Sequence, residues 1–374
     1  MKLRIPMPNS LFRVGVLLMI VKVLSSHSSI LEVPDAADTA LSLAACLFFA
    51  GSVLQKKYPA PTLFAFLVLC ALGLLTSLRT GNLMIFIAIL SCVAMCREDL
   101  DKSVRFILFW EMLYVVTKAC ISFVLHGLGH SMLTNVSGEM MYNFGFSHPN
   151  IFASVATNLF AMYLWLHFES MDIRKLIGLC GAMAGVYVLT GSRTALIVTA
   201  FLLLGYLVMH GRKKVWGLLR LGAQVAVPLM AAFFGVMCSK YTTGHPLIMA
   251  LDSVLSKRIK LGAYYLERFG ISLLGQNVTN IEVKWDPFWR LNGATFDNIY
   301  TYLLVTQTIW LFVIILLFFR AAKKGGNKTC VFLLSWVLYG ISEIHVINPY
   351  LYFVILLIPA LLDKSKEATL CPKT

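Results

Sequence analysis

Twelve apolar runs, each near the length of a membrane-crossing helix, fill most of this 374-residue chain: 11–25, 36–54, 61–78, 82–96, 105–125, 150–168, 175–191, 194–210, 217–238, 297–319, 329–345 and 349–362. A spanning helix takes about 20 mostly apolar residues, since lipid offers the backbone no partner outside the helix itself. The first, fourth and last runs are short for that task. Only 13% of the residues are charged, against about 25% in soluble domains. That is too few to coat even one water-facing globule, which excludes a soluble domain. The expectation is an all-α, polytopic integral membrane protein, a single membrane domain over residues 1–374 with about 12 transmembrane helices.

The charges test that count independently. With a cytoplasmic N-terminus, every even-numbered connection is basic: Lys56-Lys57, then Arg97, Lys102 and Arg105, then Arg174-Lys175, then Arg212 to Lys214 with Arg220, then Arg320, Lys323, Lys324 and Lys328. With Lys2, Arg4 and Arg13 at one end and Lys364, Lys366 and Lys373 at the other, 21 of 32 Lys and Arg fall inside. This is the positive-inside bias of membrane proteins, and it places both termini in the cytoplasm. The net charge of +14 therefore reads as topology facing anionic lipid and gives no support to a nucleic-acid partner. Residues 1–25 have a signal-like outline, but no small-x-small cleavage site follows Ser25, so the segment reads as an uncleaved first span. Cys46, Cys70, Cys92, Cys120 and Cys180 lie inside apolar runs without metal-ligand spacing and read as buried, inert thiols.

Two outer connections are long enough to hold a water-facing site: 126–147 and the large external loop 239–296. The large loop carries seven Lys and Arg (Lys240, Lys257, Arg258, Lys260, Arg268, Lys284, Arg290) against Asp252, Glu267, Glu282 and Asp286, a net charge of +3. Long loops may translocate basic residues freely. Arg79 and Arg193 lie in very short outer connections, where that licence does not apply. Within the loop, Leu251, Leu255, Ile259 and Leu266 share one helical stripe opposite Lys257, Lys260, Tyr264 and Arg268, which predicts an amphipathic helix near 251–269 lying on the outer leaflet. Arg258 falls about 60° from the apolar stripe, toward the membrane boundary.

Guanidinium groups grip phosphate through a planar two-donor fork. Arg79, Arg193 and Arg258 at the outer surface would suit a lipid-linked diphosphate with its sugar in water and its chain in the bilayer, and could stabilise that diphosphate as it leaves, without a metal. Transfer to a hydroxyl also needs a base. His27, His126, His130, His148, His245 and His345 read as external; Gly127 and Gly129 argue against His126 and His130 as a helical metal pair. Asp297 opens the tenth run, either as a base or as a simple helix cap.

Four stretches resemble Wzy-type bacterial polysaccharide polymerases: Gly145-Phe146-Ser147-His148-Pro149-Asn150 with Phe152-Ala153; Thr190-Gly191-Ser192-Arg193-Thr194-Ala195; Arg258 ahead of Phe269-Gly270 and Leu273-Leu274-Gly275; and Asp297-Asn298-Ile299-Tyr300. Their order and sidedness agree over roughly residues 60–345. The resemblance implies a metal-independent glycosyltransferase without a cofactor, in the bacterial cytoplasmic (inner) membrane. Such an enzyme joins undecaprenyl-diphosphate-linked oligosaccharide repeat units on the outer face, making O-antigen, capsule or exopolysaccharide. The lipid-linked oligosaccharide and membrane lipid are the implied partners, with the flippase and chain-length regulator of the same pathway as candidates. By position, the resemblance gives Arg193 and Arg258 the diphosphate, with Arg79 and Arg268 beside them. It gives His148 the orienting of acceptor or diphosphate, Asp297 the base, and Asn150, Asn298 and Tyr300 substrate contacts. Related O-antigen ligases have a His-Asn pair where this chain has Asp297-Asn298, a departure that favours a polymerase.

The main rival is a transporter or flippase of the same lipid-linked sugars. It predicts two similar halves and charges deep in the helices. The large loop has no counterpart in the first half, and Lys22, Glu111 and Lys118 are the few charges noted within spans.

Overall fold

The computed structural model describes residues 8–30, 32–130, 132–134, 140–211, 216–278, 289 and 296–362. Among these the fold is all-α, with fifteen helices: α1 (Pro8–Ser26), α2 (Asp35–Leu54), α3 (Ala60–Thr80), α4 (Met84–Met95), α5 (Leu100–His130), α6 (Pro149–His167), α7 (Ile173–Thr190), α8 (Arg193–Gly211), α9 (Trp216–Ser239), α10 (Pro246–Val254), α11 (Arg258–Phe269), α12 (Ile299–Thr306), α13 (Thr308–Lys324), α14 (Asn327–Gly340) and α15 (Leu357–Leu362). One small antiparallel hairpin, β1 (Met132–Thr134) with β2 (Met140–Tyr142), follows α5. Five helices are long and apolar enough to cross a membrane: α2, α3, the first 26 residues of α5, α7, and α9 from Gly217. Their outward sides carry exposed Leu47, Phe64, Leu78, Val124, Val188 and Leu218, a surface suited to lipid and costly in water. Cys120 and Cys180 are exposed on these same outward sides of α5 and α7, so they are not buried thiols.

The first nine apolar runs each fold as one helix, α1 to α9, and the last three do not. The tenth breaks at Gln307 into α12 and α13, the eleventh ends at Gly340, and the twelfth has a four-residue 310 turn, Phe353–Leu356, followed by the six residues of α15. The chain divides into two compact units.

The first unit comprises Met1–Leu63, Leu90–Val208 and Asn348–Thr374. Here α1 packs on α2 and α5. Gly15 permits that approach, since a Cβ there would lie 2.7 Å from the Phe49 ring. Helix α6 is buried on nearly all sides, which marks a central helix. Its Asn158 uses both ends of its amide: Nδ2 donates to Glu111 Oε2 at 2.9 Å, and Oδ1 accepts the backbone N–H of Phe353 at 2.8 Å. The non-helical turn around Phe353 is thus held by a side chain, as buried irregular backbone must be. Lys118 Nζ donates to the carbonyls of Leu24 (2.6 Å) and His27 (3.2 Å) at the end of α1, and Lys22 pairs with Asp38 at 3.3 Å. The three in-span charges therefore all have structural partners.

The second unit comprises Phe64–Ile89 and Met209–Ile347. Its centre is α9, against which α11, α12, α13 and α14 pack. The break at Gln307 leaves carbonyls of α12 without the N–H groups a continuous helix would supply. Residues 272–276 supply them instead: Ser272 N donates to Val305 O (3.2 Å), Gln276 N to Thr306 O (3.0 Å) and Gln276 Nε2 to Val305 O (2.8 Å). In return, Thr308 N donates to Ser272 O at 2.8 Å. Gly275, at φ +120°, lies where a Cβ would be 3.0 Å from Arg79 Cβ and 3.1 Å from Thr76 O, so the same loop is seated on the last turn of α3.

Candidate functional site

The stripe spacing over 251–269 predicts one helix, but the chain builds two. Ser256 and Lys257 both adopt positive φ (54° and 66°) between α10 and α11. Asp252 pins the bend: its Oδ1 accepts Lys260 N at 2.9 Å, and its carbonyl accepts Lys257 N at 2.8 Å. Helix α11 buries Ile259, Gly262, Ala263, Tyr264 and Tyr265. Tyr264 is therefore inside rather than on the polar face, because this helix packs on protein, against α9 and α12.

That packing places Arg258 at the start of α11. Its Nε and Nη2 donate to Ser342 O at 3.4 and 3.2 Å, and Nη1 to Leu255 O at 3.2 Å. Three of its five N–H groups are thus engaged, leaving two for an anion. Arg258 and Asp297 line one small cavity with Gly262, Phe296, Asn298 and Thr301. Tyr265 stacks on Phe296, ring centroids 3.8 Å apart, which gives this cavity an aromatic wall. Arg268, exposed and nearly three turns beyond Arg258 on α11, donates to Tyr264 Oη at 2.6 Å.

Asp297 does not cap the following helix. That role belongs to Asn298, whose Oδ1 accepts Thr301 N at 2.9 Å, while its Nδ2 donates to Ile341 O at 2.9 Å. Asn298 is buried with both ends of its amide engaged, and Tyr300 is fully buried with its hydroxyl donating to Val337 O at 2.7 Å. Both side chains hold the fold around Asp297, which leaves little of either for a substrate.

In the first unit, Gly191 ends α7 in the left-handed region (φ 66°), where a Cβ would lie 2.4 Å from Met141 Cε. The resulting two-residue turn makes Arg193 the first residue of α8 and leaves it exposed, with no hydrogen bond or ion pair among the described residues. His148 caps α6, its Nδ1 accepting Asn150 N at 3.1 Å, and both residues are exposed. Arg79, in the second unit, is exposed in the last turn of α3. Arg258, Arg268, Asp297, Asn298 and Tyr300 gather within the second unit, and His148, Asn150 and Arg193 belong to the first. Lys284 and Arg290 lie outside the described residues.

No family model, curated protein or solved structure matches this chain.

The turn after α14 holds a residue absent from the sequence-based site. Burial and the charge of Asp297 push the Glu343 carboxyl up to about 8, and Arg258 pulls it the other way. The signal was present, since Glu343 is the one acid between Asp297 and Asp363 and an acid in an apolar run is a functional marker. Burial also lowers His345, two residues on, to about 4. Among the described residues no three His, Cys, Asp or Glu side chains are grouped to hold a metal ion.

Proposed function

We propose that this chain is a membrane glycosyltransferase that polymerises undecaprenyl-diphosphate-linked oligosaccharide repeat units on the outer face of the bacterial cytoplasmic membrane. The observation that carries this reading is the pairing of Arg258, at the start of α11, with Asp297, just ahead of α12, in one aromatic-walled cavity. Arg258 would hold the diphosphate through its two remaining donors, with Arg79 and Arg268 of the same unit; Arg193, in the first unit, takes a diphosphate-binding role by resemblance. Asp297 would meet the acceptor sugar, either orienting its hydroxyl or taking its proton. The four motif stretches support the same assignment by resemblance, and the full topology belongs with it: twelve crossings, both termini inside, residues 239–296 outside.

The test is polymer length in a deletion strain complemented with Arg193→Lys or Arg258→Lys. Lysine keeps the charge but not the fork, so polymer should fall steeply while single repeat units accumulate and the protein reaches the membrane normally. Normal chain lengths from both variants would refute the diphosphate role. A ligase would instead leave polymer intact on its lipid carrier. The broken tenth helix gives a transporter some support, since interrupted helices line transport sites. A transporter would leave the repeat units facing the cytoplasm in the null strain.

A further inference from the structure

Three separate segments come together in the second unit, carrying Arg258 on α11, Asp297 ahead of α12 and Glu343 after α14. Hydrogen bonds fix the third segment to the other two. Arg258 holds Ser342 O through two nitrogens, and Asn298, next to Asp297, holds Ile341 O. The two carbonyls preceding Glu343 are therefore occupied, and its own N–H donates to Tyr339 O at 3.1 Å. Its carboxyl makes no hydrogen bond or ion pair among the described residues. A half-buried carboxyl without a hydrogen bond costs stability, and such groups cluster where proton transfer is needed.

Resting on the polymerase reading above, we propose that the Glu343 carboxylate takes the proton from the acceptor sugar's hydroxyl, while Asp297 beside it orients that sugar. The acceptor O–H bond breaks and its proton moves to Glu343. The acceptor oxygen bonds to the anomeric carbon of the donor sugar. The bond from that carbon to the lipid diphosphate breaks, its electron pair leaving on the diphosphate between the arginines. The proton then passes from Glu343 to the departed diphosphate, which restores the carboxylate.

The sign of the pH dependence follows. Only the ionised carboxylate can accept a proton, so the rate should rise with pH through the region near 8 where Glu343 ionises. The charged and titratable groups around this cluster are Arg258, Asp297, Tyr264, Tyr265 and His345; burial raises Tyr265 to about 12 and lowers His345 to about 4, both outside a window of about pH 6 to 9. Removing the charge of Asp297 removes one cause that raises Glu343, so Asp297→Asn should move the rising limb to lower pH.

The experiment uses membranes from a deletion strain that has accumulated its own lipid-linked repeat units, with the full-length protein supplied in trans and initial polymerisation rates followed across that window. Glu343→Gln should lower the rate about 100-fold or more and flatten the profile, and Asp297→Asn should be slower with its limb displaced downward. Should Glu343→Gln fail to accumulate, Glu343→Asp decides, expected to retain activity with its limb at lower pH. A wild-type rate from Glu343→Gln, or an unmoved limb in both Asp variants, overturns the assignment while leaving the polymerase reading intact. Absence of polymer from the wild-type protein itself would overturn both.

Discussion

At Gly262, α11 passes close to Cys238 of α9 and Thr301 of α12, and replacing it with alanine tests the geometry of the site directly. A Cβ at 262 would lie 2.7 Å from Cys238 Sγ and 2.8 Å from Thr301 Cγ2, where ordinary contact begins at 3.4 Å. Going from 2.7 to 3.4 Å requires a shift of 0.7 Å, and overpacking of this kind costs about 1–3 kcal/mol. Arg258 stands one turn earlier on the same face of α11. Its bonds to Ser342 O are already 3.2 and 3.4 Å long, so a displacement of that size would break them. Gly262→Ala should therefore lower the melting temperature of the detergent-purified protein and reduce polymer together. Adding Cys238→Ala and Thr301→Ser removes the two closest atoms while keeping the threonine hydroxyl, and should recover much of both. If Gly262→Ala melts and polymerises like the wild type, or if the relieving changes only add further loss, this packing is wrong.

Alkaline phosphatase fused near Gln276 should be active and near Gly326 inactive; activity at both places would remove the inside-outside assignment, and inactivity at Gln276 would remove the external site. In the first unit, Asn158→Leu leaves both Glu111 and the Phe353 N–H unpaired, at about 1–3 kcal/mol for each orphaned group. The protein should then accumulate poorly, and adding Glu111→Leu should restore part of the loss, because an apolar pair leaves one orphan fewer. Equal accumulation of the single and double variants would show that this buried bond matters little.

Apolar run length alone located α1 to α9, and the placing of Arg79 and Arg193 at helix ends in very short connections was readable from the sequence. The tenth run hid its interruption because Thr306-Gln307-Thr308 is only three polar residues in a long apolar stretch, and hydropathy averages over them. What breaks the helix is tertiary: the loop at 272–276 offers α12 an alternative set of hydrogen bonds. The bend between α10 and α11 was equally silent, since its positive φ values fall on Ser256 and Lys257 rather than on glycine. Tyr264 looked polar by its position on the stripe and is buried because α9 covers that side. Arg258 and Asp297 were legible as individual charges in and just after the 239–296 loop, whereas Glu343 acquires its meaning only from neighbours 46 and 85 positions earlier in the chain.

The exchange of hydrogen bonds between 272–276 and the broken tenth helix also bears on the order in which the protein is made. The loop leaves the ribosome before α12 and α13 do, yet neither can complete its backbone bonding alone. Until they meet, several peptide groups stand unpaired, at a cost of several kcal/mol for each one exposed to lipid. Placement of the 272–276 loop and settling of the tenth apolar run are then a single assembly step. A lesion at Gly275, where the loop is seated on the last turn of α3, would be read by the cell as a failure of membrane insertion.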